Sequence, residues 1–234
     1  MISANQQHGA GLAGSSARLP LPAIALASAC LATIALLAHH PVARRTPDDP
    51  HGLHELVHLG GQAALVHGAL FAIFGALLYG VIGLAFTLDR RRPAVTFGLA
   101  MYGAGCGAMA AAMLLDGFVI ARLAQRLLGD GQSPEGMAAL ALVAIGIQVF
   151  TRAGFFGMGI GMCALSWARA GAGRLLAALA LPAAVLPLAL LASSGMTLRP
   201  VTLIGLTALQ ATWYLGAAFR LWQRGAPLVP VLRR

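Results

Sequence analysis

Six apolar stretches, approximately 20 to 38, 57 to 88, 94 to 121, 137 to 168, 174 to 194 and 200 to 222, fill most of this 234-residue chain and leave it few possible folds. Each approaches or exceeds the roughly 20 residues a helix needs to cross the hydrocarbon layer. Lipid offers no partner to backbone N–H and C=O groups, so uniformly apolar runs of this length should be helices. A soluble globule could not hide a sequence that is 59% hydrophobic and 10% charged beneath its own surface. The expected fold class is all-α: a polytopic membrane protein with a six-transmembrane-helix bundle over residues 18–224. A disordered leader rich in Gly, Ala, Ser and Gln is expected over 1–17, and a basic tail over 225–234. Arg18 to Cys30 imitates a signal peptide, but the apolar run continues past Cys30 to Ala38, which favours an uncleaved first helix.

All sixteen cationic residues are arginines, and all but Arg152, which lies within the fourth segment, are read as flanking the apolar segments. Arginine so placed acts as a topology signal and a headgroup contact, so the expected partner is the lipid bilayer and not nucleic acid. The side of the N-terminus collects Arg18, Arg90, Arg91, Arg92, Arg169, Arg174, Arg220, Arg224, Arg233 and Arg234, against Arg44, Arg45, Arg122, Arg126 and Arg199 opposite. This bias predicts both termini in the cytoplasm of a bacterial-type inner membrane. The three cysteines fall in separate apolar stretches and read as packing residues, not a disulfide framework.

Glycine marks where helices can approach. Gly103-x-x-x-Gly107 and Gly157-x-x-x-Gly161 lie at similar depth on the third and fourth segments, which predicts close packing between them. Homo-oligomers or a larger membrane complex are open to such a chain. Pro182 and Pro187 should kink the fifth helix.

The most chemically suggestive run is His51-Gly-Leu-His54-Glu55-Leu-Val-His58, an H-E-x-x-H at the mouth of the second segment. Asp49-Pro50 is a good helix start, and spacings of three, four and seven put His51, His54 and His58 on one face. His39 and His40 end the first helix on the same side. Catalytic zinc takes three protein ligands and an open position, and H-E-x-x-H supplies two histidines plus a glutamate as general base. Asp116 lies 22 residues along the third helix, about 33 Å from its start, at the depth of the histidines. His54, His58 and Asp116 are thus a permissible ligand set, with His51 a possible addition and Glu55 the candidate catalytic base.

Together, His54-Glu55-x-x-His58 and Leu115-Asp116-Gly117 resemble the motif pair of site-2 intramembrane metalloproteases. The resemblance implies zinc on His54, His58 and Asp116 and water activated by Glu55. Ala112-Met113-Leu114 stands where that family carries Asn-Pro.

Inside the membrane, His67, Asp116, Gln148 and Arg152 need partners, and an Asp116–Arg152 ion pair is the natural expectation. Such a cluster reads as a packing tether or as the lining of a substrate or proton path. Three functions follow. The leading one is a non-enzymatic, transporter-like or accessory membrane subunit built around that cluster. The others are a zinc metallopeptidase, and an outer-face histidine site for zinc or another transition metal or for sensing pH. Haem would need histidines facing each other at membrane depth, where only His67 clearly lies.

Overall fold

The computed structural model describes residues 20–41, 43, 49, 51–88, 91–168, 174–193 and 200–225. The leader 1–17, Pro50, the tail beyond 225 and Arg44, Arg45, Arg90, Arg169 and Arg199 lie outside the described residues. Those described form an all-helical bundle without strands: α1 (Leu21–Ala38), α2 (Gly52–Phe86), α3 (Pro93–Leu114), α4 (Ile120–Gly129), α5 (Pro134–Trp167), α6 (Arg174–Ala180), α7 (Leu186–Ser193) and α8 (Pro200–Gly225). Two π-helical turns, Leu115–Val119 and Leu181–Val185, join α3 to α4 and α6 to α7 without interrupting the rods. Counted this way, the described residues contain six helices long and apolar enough to cross a membrane.

Residues 51 to 52 open α2, where Asp49 predicts a start: its carboxylate accepts from the His51 backbone N–H at 2.8 Å. The turn Leu181–Val185 falls where Pro182, lacking an N–H, cannot continue the α-helical ladder. Serine caps α5, Ser133 Oγ accepting from the Gly136 N–H at 3.2 Å. Ser133→Ala should lower stability by about 1 kcal/mol, read as an earlier midpoint in denaturant titration of the detergent-solubilised protein.

Successive rods run antiparallel, so the start of α1 and the end of α8 share one end of the bundle, here termed proximal. There, arginine closes helix C-termini: Arg92 Nη1 donates to the Ala168 carbonyl and Arg224 Nη1 to the Thr87 carbonyl, each at 2.8 Å. The middle is filled by Tyr102, Trp213 and Tyr214, all fully buried; the two tyrosine hydroxyls bond at 2.8 Å, and Trp213 Nε1 donates to Ser166 Oγ. Trp167 and Trp222 are exposed on the outside.

The closest backbone approach joins α3 to α5. A Cβ on Gly105 would lie 2.5 Å from the Met158 nitrogen, one on Gly157 2.8 Å from the Gly105 Cα, and one on Gly161 2.8 Å from the Gly98 carbonyl. Helices three and four of the sequence reading do meet, and Gly157 and Gly161 are in the contact. Their counterparts on α3 are Gly98 and Gly105; Gly103 and Gly107 face open space.

At the other, distal end three of the rods are longer than the roughly 20 residues that a crossing needs. The α1 rod has 18 residues, about 27 Å, close to the hydrocarbon thickness. The α2, α3–α4 and α5 rods have 35, 37 and 34 residues. Their surplus packs into a small second core of Leu53, Ala124, Leu127 and Leu140. The sequence reading ended the third helix near 121; it continues to Gly129 because α4 is amphipathic, burying Ala124 and Leu127 while Gln125 and Arg126 face outward.

Candidate functional site

Asp116 sits on the π-helical turn Leu115–Val119, where widening of the helix carries its carboxylate toward α2. Across from it stands His67, the imidazole 1% exposed, with Nε2 3.0 Å from Asp116 Oδ2. His40, two residues beyond the end of α1, completes the group: its Nε2 lies 3.1 Å from His67 Nε2 and 3.8 Å from Asp116 Oδ2. The two rings meet edge to face, with centroids 4.8 Å apart. Among the described residues this is the one group of three or more His, Cys, Asp or Glu side chains whose ligand atoms converge, all within 4.8 Å of one another.

Glycine makes the approach possible. A Cβ on Gly117 would lie 2.5 Å from His67 Cβ, and one on Gly60 2.7 Å from Ala121 Cβ, so α2 rides directly on the turn that carries Asp116.

The protonation pattern is constrained by the partners. His67 Nδ1 can only donate to the Ala63 carbonyl, 2.7 Å away, so in a neutral ring Nε2 keeps a lone pair. That lone pair would face an Asp116 oxygen and the nitrogen of His40. Burial pushes the His40 imidazole below its ordinary range and His67 beside it adds to the push, while the Asp116 carboxylate pulls upward. A neutral His40 protonated on Nε2 can donate to the His67 lone pair across 3.1 Å, which leaves the Asp116 oxygen facing His67 Nε2 as the contact that a second proton on His67 or a cation would satisfy.

The group separates two cavities, and all three residues line both. On the distal side a vestibule of about 200 Å³ is walled by Pro41, Ala43, Leu56, Leu59, Gly60, Ala63, Ile120 and Ala121. On the membrane side a chamber of about 180 Å³ is walled by Leu37, Leu70, Met113, Ile147, Gln148, Thr151 and Leu203. A smaller separate cavity of about 30 Å³ shares walls, Thr151 among them, with the chamber, and another of about 10 Å³ shares walls with that second cavity alone. Thr33 and Thr207 line both small cavities, and Gln210 and Tyr214 line the last. Gln210 is 3% exposed, and its Nε2 is buried without a hydrogen bond among the described residues.

The residues singled out from sequence are distributed unevenly over this site. His67 and Asp116 form its heart, Gln148 lines the chamber, and Arg152 follows one turn along α5, half-buried. The polar side chains that meet Asp116 are His67 and His40. His51, His54 and His58 share one face as their spacing requires, and that face is exposed; Leu53, Leu56 and Val57 turn inward to the small distal core, and Glu55 is half-buried. His40 was placed only with the outer-face histidines, not with the named ligands or the intramembrane cluster. Its signal was its position at the end of α1, at the depth calculated for Asp116. No protein-family model matches this sequence, and no curated protein or solved structure is significantly similar to it.

Proposed function

We propose that this chain is a non-enzymatic, multi-pass protein of a bacterial-type inner membrane with cytoplasmic termini. In this reading it admits a cation or a proton into the bundle from the extracytoplasmic side through His40, His67 and Asp116. The observation that carries this is the position of the three side chains between a distal vestibule and a membrane-side chamber, with two smaller separate cavities lined by buried threonines set in series toward Gln210. Intramembrane ionisable groups are expensive to bury and recur along substrate and proton paths. Here the carboxylate is a third exposed, toward cavities, instead of sealed as a packing tether would be. A non-enzymatic role is favoured because Asp116 is engaged by His40 and His67 while His54 and His58 face outward.

Tyr214, which lines the last of these cavities, is hydrogen-bonded to Tyr102, and such a pair fits a carrier or gated conduit closed beyond that point. The test is flux into sealed proteoliposomes containing pH-sensitive or divalent-sensitive dye. Wild type should move one of these cations, and Asp116→Asn should reduce the rate at least tenfold with the protein still inserted and monodisperse. Equal baseline leakage in both would end the transport reading.

A further inference from the structure

We infer that the convergence of His40 Nε2, His67 Nε2 and Asp116 Oδ2 is a binding site for a divalent first-row transition metal ion. The inference rests on the reading of this chamber as cation-accepting, and it names the cation. The three separations are 3.1, 3.0 and 3.8 Å. Bonds of about 2.0–2.1 Å place neighbouring ligand atoms roughly 3.0 Å apart in an octahedral site and roughly 3.3 Å apart in a tetrahedral one. The observed triangle spans those values before any ion draws it together.

The partner of the other ring nitrogen agrees for His67. A histidine bound to metal through Nε2 usually fixes its ring by donating Nδ1–H to a carbonyl or carboxylate, and His67 does this to Ala63 at 2.7 Å. One cation at the centre would be bound by both nitrogens and the carboxylate together, with each histidine in the tautomer that leaves its Nε2 unprotonated. Two imidazoles with one carboxylate suit zinc, cobalt or iron(II) better than magnesium or calcium, which prefer all-oxygen shells. Three protein ligands leave a position open to the vestibule, which an ion that must arrive and leave requires.

The experiment uses tag-free, full-length protein in detergent, titrated with Zn²⁺ by calorimetry and with Co²⁺ by visible absorption. One ion per chain is expected, undisturbed by excess Mg²⁺ or Ca²⁺. The exposed histidines are controlled by His54→Ala with His58→Ala, which should leave that ion in place. Asp116→Asn and, separately, His40→Ala should each weaken binding about 100-fold. Having both guards against misfolding of either.

Binding abolished by the His54/His58 variant but retained in Asp116→Asn would overturn the inference and assign the metal to the exposed face. Absence of any binding would overturn it as well. Stoichiometric binding without flux in vesicles would support the metal site and retire the transport reading; proton flux without metal binding would do the reverse.

Discussion

Gly105→Ala should destabilise the bundle by about 3 kcal/mol, while Gly103→Ala, half a turn away on the same helix, should cost nothing. The argument is steric. A methyl group on Gly105 would meet the backbone nitrogen of Met158 at 2.5 Å and the carbonyl of Gly154 at 2.8 Å, and neither atom can move without shifting α5 as a whole. Overpacking of this kind costs typically 1–3 kcal/mol, and contacts made by backbone atoms belong at the top of that range. Around Gly103 nothing lies within 4 Å. There the gain in helix propensity should leave stability level or raise it by up to about 1 kcal/mol. Unfolding midpoints of the two variants in mixed detergent are the measurement, and equal midpoints would remove glycine contact as the reason α3 and α5 pack so closely.

The same pair shows how much was legible beforehand. Six spans could be read from the sequence because lipid demands uninterrupted apolar length, and length survives without tertiary knowledge. Which glycines touch could not be read, because a small-x-x-x-small pattern fixes a face only when the azimuth of the helix is known. Gly98 and Gly105, seven residues apart, share the true face; Gly103 and Gly107 share another. The histidines failed to resolve for a similar reason. Spacing put His51, His54 and His58 on one side of α2, but Leu53, Leu56 and Val57 had the stronger claim on the interior, since α4 covers them.

His40 depends on packing still more. It is 27 residues from His67, and only the antiparallel docking of α1 on α2 brings the two rings together. His67 and Asp116 were legible because a titratable group deep in an apolar run is conspicuous by cost alone.

Gly117→Ala should weaken cation binding at this site about 10- to 100-fold without altering any ligand. The new methyl group would sit 2.5 Å from His67 Cβ and 3.0 Å from its Cγ, so the imidazole base, not a flexible tip, must give way. Displacement of α2 there lengthens the 3.0 Å contact between His67 Nε2 and Asp116 Oδ2, on which the convergence depends. Loss of supporting geometry around a metal site typically costs 10- to 100-fold in affinity. Global stability should change less, because alanine's better helix propensity offsets part of the strain. Gly68→Ala is the matched control: its nearest neighbour would be Phe118 Cζ at 3.8 Å, an ordinary contact, and its affinity should equal wild type. If Gly117→Ala binds Zn²⁺ as tightly as wild type, His67 is not held in place by that glycine, and the Leu115-Asp116-Gly117 run owes its glycine to something other than the site.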